Sequence, residues 1–117
     1  MRSPFRVPGQ FEVEAARRFF FGLSTRNREV MGALLGDHAT FENIDGPVAV
    51  DCREALAGAL AARGSDVDYE LVDVEGSPGE ARARFLLFVE GVPGAVLLRA
   101  VLLFEELRIV AIRVDAA

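Results

Sequence analysis

The chain has 117 residues, 51% of them hydrophobic and 26% charged, with a formal net charge of −5. That length bounds one globular domain with a real core, and the acidic balance argues against nucleic acid or an anionic membrane as a partner. The sequence has no apolar run of the roughly 18 residues a membrane span needs. It also has no secretory signal pattern at its start, and its single cysteine, Cys52, excludes an internal disulfide, so a cytoplasmic protein is expected.

Residues 1–10 hold two prolines and a glycine and are expected to form an extended arm ahead of one domain, 11–117. Residues 11–23 carry a helical stripe of Phe11, Ala15, Phe19 and Leu23, with Ala16 and Phe20 beside it. Asn27 is placed to N-cap a second helix over 28–35, which Gly36 would end as a C′ glycine. A short strand over 39–43 precedes the turn residues Asp45-Gly46-Pro47, and 48–50 continue extended. Asp51 and Glu54 then form a capping box for a third helix over 53–62, with Leu56 and Leu60 on its buried side and Gly64 at its end.

The remainder is β. Residues 67–74 place Val67, Tyr69 and Leu71 on one face, with Asp73 as a possible fourth member, and Ser77-Pro78-Gly79 turns the chain. Two long strands over 81–90 and 95–104 join at Gly91-Val92-Pro93-Gly94, and Glu105-Glu106 turns into a last strand over 107–114. Both faces of these strands are apolar: Leu86, Phe88, Leu97, Val101 and Leu103 share one parity, and Phe85, Leu87, Val89, Leu98, Ala100 and Leu102 the other. One face is expected to pack on the helices and the other on a second copy, giving a homodimer. The expected fold is α+β, with three N-terminal helices on a strongly curved, mainly antiparallel sheet.

This order and these residues resemble the nuclear transport factor 2-like superfamily, in its SnoaL-like and ketosteroid-isomerase-like branch. The resemblance is carried by Ala16-Arg17-Arg18-Phe19-Phe20, Ala39-Thr40-Phe41-Glu42-Asn43, Gly46-Pro47, Arg53-Glu54-Ala55-Leu56 and the closing Arg108-Ile109-Val110-Ala111-Ile112-Arg113-Val114. It implies a cone whose pocket lies between sheet and helices. It also implies that Asn43 stands where isomerases of this fold carry their Asp base, Phe19 where they carry an oxyanion tyrosine, and Ala100 near their protonated Asp. None of the three supports proton shuttling. The cyclases' catalytic His and Asp would fall at Ile112 and Val114. Asp115 is one residue off, on the opposite face. Arg99, the residue matching the epoxide hydrolases' Asp-Arg-Asp set, points away from the pocket.

The expected pocket lining is Phe19, Phe20, Phe41, Asn43, Phe85, Leu87, Leu98, Ala100, Leu102, Ile112 and Val114, which suits a hydrophobic small molecule. Candidate chemistry is limited to Asn43, Asp45 and His38. Asn43 would orient a carbonyl or a water, unless its amide bonds its own turn. Asp45 fits an Asx turn better than a cavity mouth. His38, the only histidine, lacks an evident partner to fix its tautomer. Cys52 is read as a small structural thiol. The Tyr69 hydroxyl would enter the cavity or lie at a dimer seam, with half-buried packing the plainer alternative. Arg82, Arg84, Arg99 and Arg113 share the outward parity and are expected to pair with Glu90, Glu105 or acids of a partner. No metal or organic cofactor is expected. Three functions stay open: a binder of a hydrophobic small molecule without the isomerase catalytic set, a polyketide cyclase- or isomerase-like enzyme using Asn43, Asp45 or His38, and a non-catalytic dimerisation module.

Overall fold

The computed structural model describes residues 8–43, 50–51 and 67–116, with the backbone alone at positions 43, 50 and 67. Among the described residues two helices, α1 (Gln10–Thr25) and α2 (Arg28–Leu34), precede six strands. These are β1 (Leu35–Asn43), β2 (Val50–Asp51), β3 (Val67–Ser77), β4 (Glu80–Val89), β5 (Val96–Glu105) and β6 (Arg108–Ala116). The strands form one curved sheet in the order β2-β1-β6-β5-β4-β3, in which β1 and β6 run parallel and every other pair is antiparallel. This is the α+β architecture expected. The third helix expected over 53–62, the turn at Asp45 and the thiol of Cys52 lie outside the described residues.

The stripe that predicted α1 is the face it buries: Ala15, Ala16, Phe19, Phe20 and Leu23 are all buried, while Arg17 and Arg18 are exposed. The helix ends where Arg26 turns left-handed (φ 56°) and Asn27 N–H reaches the Gly22 carbonyl at 2.7 Å. Asn27 then caps α2 as expected, its side-chain oxygen accepting from Val30 N–H at 3.1 Å.

The expected end of α2 needs correction. Gly36 is not a C′ glycine. Leu35 is already extended (φ −88°, ψ 139°) and opens β1, so the strand begins four residues before its expected start at Ala39. The cause is tertiary: Leu35 is 1% exposed and pairs with Ile109, so a buried ladder position outweighs the helical pattern.

The inner face of the sheet is set by parity. Rows of directly paired residues cross it: Val74, Ala83, Ala100 and Val114 in one, and Gly76, Ala81, Leu102, Ile112 and Phe41 in the next. Helix α1 covers the end of this face where alanines and a glycine let it approach closely. A β-carbon at Gly76 would clash with the backbone of Gly9, the residue before α1, whose φ of 85° itself favours glycine. The Glu12 carboxylate accepts from Gly79 N–H at 3.0 Å and ties α1 to the β3–β4 turn. In that turn Pro78 and Gly79 (φ 82°) take the central positions of a type II arrangement. The β4–β5 loop falls where Gly91 and Gly94, both at positive φ, predicted it.

Candidate ligand-binding site

Burial along the inner face is graded. On β4, Ala81, Ala83 and Phe85 are buried, whereas Leu87 and Val89 are half-buried. On β5 the gradient runs the opposite way along the chain, from Val96 (51% exposed) through half-buried Leu98 to buried Ala100 and Leu102. On β6, Ile109 and Ile112 are buried and Val114 is half-buried. Antiparallel pairing brings these exposed ends together, so one end of the apolar face is closed by α1 and the other is progressively open.

The structure places most of the expected lining on this face. Phe19, Phe20, Phe85, Ala100, Leu102 and Ile112 belong to the buried core, and Phe41, Leu98 and Val114 pack against it. Asn43 pairs with Val114 two residues beyond Phe41, which gives it an inner-face position by register. Among the described residues no polar or charged side chain is buried. Phe19 (3% exposed) and Ala100 (1% exposed), at or near which the resemblance led one to expect the isomerase donors, are tightly packed hydrocarbon.

The other candidates lie elsewhere. His38 is exposed, in a groove of about 660 Å³ that it shares with Asp37, Glu105, Glu106 and Arg108, while its neighbour Ala39 is the buried one. Asp115 stands on the outer face, where Arg99 grips it through Nε (3.0 Å) and Nη2 (2.9 Å). Arg84 holds Asp73 in the same forked manner on the neighbouring pair of strands. The expected partners Glu90 and Glu105 are thus replaced. Arg84 takes Asp73, Arg99 takes Asp115, Arg82 lies 3.6 Å from Glu80, and Arg113 lies 3.3 Å from Glu42. Asp73 reaches the outer face because β3 shifts register between Leu71 and Asp73, which corrects its expected place beside Tyr69.

The forked guanidinium bonds hold the carboxyls of Asp73 and Asp115 below their ordinary pKa, and the same bonds raise the two arginines. These shifts belong to the outer face. Among the described residues no group of three His, Cys, Asp or Glu is arranged to hold a metal ion.

Tyr69 is absent from the expected lining. It packs against the core, with its ring centroid 6.2 Å from that of Phe85. Its shared parity with Leu71 was the available signal.

No protein-family model matches the chain, and no curated protein does. Solved structures do. A candidate ketosteroid isomerase from Kribbella flavida superposes with a TM-score of 0.82 at 14% identity, covering 93% of this chain and 79% of that one. An LEH-like epoxide hydrolase from M. tuberculosis gives 0.75 at 16% identity, with 93% and 84% covered. A candidate polyketide cyclase from Sinorhizobium meliloti gives 0.72 at 16% identity, with 86% and 93% covered. The chain therefore has the nuclear transport factor 2-like fold, as its sequence led one to expect. Different chemistries share this fold, so the fold alone selects none of them.

Proposed function

We propose that the inner face of the sheet is the wall of an apolar pocket that binds a hydrophobic small molecule, without the proton-transfer set of ketosteroid isomerases. One observation carries this: the face is hydrocarbon where α1 seals it and remains hydrocarbon where it opens, at Leu87, Leu98 and Val114. Open apolar surface bounded by a rigid sheet is what a pocket for an apolar ligand requires. Cyclase- or isomerase-like chemistry receives less support, because His38 is exposed outside this face and Asp115 is held by Arg99 on the other. The test is a thermal-shift screen of terpenoids, steroids and aromatic polyketides. A ligand that binds only the native state raises the melting temperature, and the rise grows with the logarithm of its concentration above Kd. Melting unchanged across all three classes would overturn the proposal.

The same proposal extends to assembly: a homodimer formed through the outer face. Leu86 and Leu97 are directly paired there, and Phe88 (37% exposed) and Leu97 (38% exposed) leave large apolar groups uncovered. A two-fold dimer uses one such patch twice. Sedimentation should give a dimer for the native chain and a monomer for Leu97→Glu. A native monomer at high micromolar concentration would contradict it.

A further inference from the structure

Strand β3 is 11 residues long and pairs with β4 on one side, while among the described residues no strand pairs with its other side. A free edge of that length presents backbone N–H and C=O groups on which another strand can add. The register shift between Leu71 and Asp73, where Val72 is 48% exposed, interrupts this edge. The regular run open to an added strand is therefore 67–71.

Two features of that run bear on strand addition. The first is a backbone donor already in use. The Tyr69 N–H is donated to Oδ1 of the preceding Asp68 at 2.9 Å, so a carboxylate holds a group that an added strand needs. Ladder bonds alternate along a strand, which turns the Leu71 N–H to the same side as that of Tyr69.

The second feature is charge. Asp68, Glu70, Asp73 and Glu75 are all exposed. Beyond the register shift each acid has a cation: Arg84 grips Asp73, and Arg82 lies 3.9 Å from Glu75. Within the run, Asp68 and Glu70 instead stand opposite Phe88 and Leu86, and among the described residues neither forms an ion pair. Acidic residues are disfavoured in strands, and beside apolar neighbours these two add nothing to the pairing of β3 with β4.

Their effect falls on a second copy meeting the same edge. With two antiparallel copies of the run centred on Tyr69, each Asp68 faces the partner's Glu70. Centred one residue to either side, Asp68 faces Asp68 or Glu70 faces Glu70. Each of these registers sets carboxylate against carboxylate, which opposes pairing. We infer that Asp68 and Glu70 close the free edge of β3 against strand addition by a second copy of this chain. Asp68 does so by occupying the Tyr69 N–H, and both do so by repulsion. This contact would extend the sheet in its own plane, whereas the proposed homodimer stacks two sheets face to face.

The test removes the block in Leu97→Glu, the variant expected to lack the face-to-face dimer, which serves as the parent. Adding Asp68→Ala and Glu70→Ala should cause association at concentrations at least about tenfold below any at which the parent associates, read by sedimentation. Hydrogen exchange locates the contact. The Tyr69 and Leu71 amides should exchange more slowly as the alanine variant is concentrated, and at an unchanged rate in the parent. Unchanged sedimentation of the folded variant overturns the inference. Association that leaves these two amides unprotected overturns it too, as does their concentration-dependent protection in the parent. Asp68→Asn with Glu70→Gln keeps side-chain shape and an acceptor for the Tyr69 N–H, so it tests charge alone should the alanine variant fail to fold. It should also associate more strongly than the parent, and sedimentation unchanged from the parent's overturns the role of charge. The outcome does not depend on the proposed homodimer, because only mass gained over the parent is read.

Discussion

At Gly76 the backbone of β3 meets the backbone of Gly9, and no side chain fits between them. This contact sets how closely α1 lies on the sealed end of the sheet. A methyl group at position 76 would have to push α1 outward, and overpacking of this kind costs typically 1–3 kcal/mol. Gly76→Ala is expected to lower stability by about 2 kcal/mol, measured by urea denaturation. A second residue-scale prediction concerns the outer face, where Asp73, Arg84, Arg99 and Asp115 stand in one row across β3, β4, β5 and β6. The two arginines are directly opposed, an unfavourable placement unless each is neutralised from its far side. Because folding lowers the pKa of both carboxyls, their contribution is present above the ordinary carboxylate pKa of about 3.9 and is lost as pH falls through the lowered values. The native melting temperature should therefore drop on acidification below about pH 4. Asp73→Asn with Asp115→Asn should melt lower at neutral pH and lose less on acidification. Parallel pH profiles for the two proteins would contradict the pairing.

At the scale of elements, the β5–β6 hairpin turns through Glu106 (φ 51°) and Leu107 (φ 66°), both left-handed and neither glycine, with Leu107 70% exposed. Two successive left-handed residues make a type I′ turn, which favours Asn-Gly. Glu106→Asn with Leu107→Gly should raise stability by about 1 kcal/mol, read as a higher urea midpoint at unchanged slope. The same turn shows where the sequence was legible and where it was not. The turns at Ser77-Pro78-Gly79 and Gly91-Val92-Pro93-Gly94 were readable because their residues carry the required φ angles. The β5–β6 turn was expected one residue early, at Glu105-Glu106, because Glu-Leu has no turn chemistry and the twist of the flanking strands dictates the geometry. Helix α1 was legible from its stripe, and the α2–β1 junction was not, because pairing of Leu35 with Ile109 is non-local. The apolar parity of β4 and β5 marked the inner face, but it could not show which end α1 seals. The register shift that turns Asp73 outward is marked by a change of apolar phase, from Val67, Tyr69 and Leu71 to Val72 and Val74, which a single strict alternation over 67–74 passes over.

At the scale of the molecule, the sheet divides its labour between two faces. The outer face carries the ion pairs and the apolar patch that we propose meets a second copy. The inner face is hydrocarbon from Ile109 and Leu102, both fully buried, to half-buried Leu87, Leu98 and Val114. The most direct test of the proposed pocket is a methyl-resonance titration by NMR with 2-decalone. Saturable shifts are expected at the methyls of Leu87, Leu98 and Val114, with those of Leu86, Leu97 and Val101 unmoved. Shifts confined to the outer-face methyls, or none at saturating ligand, would contradict it.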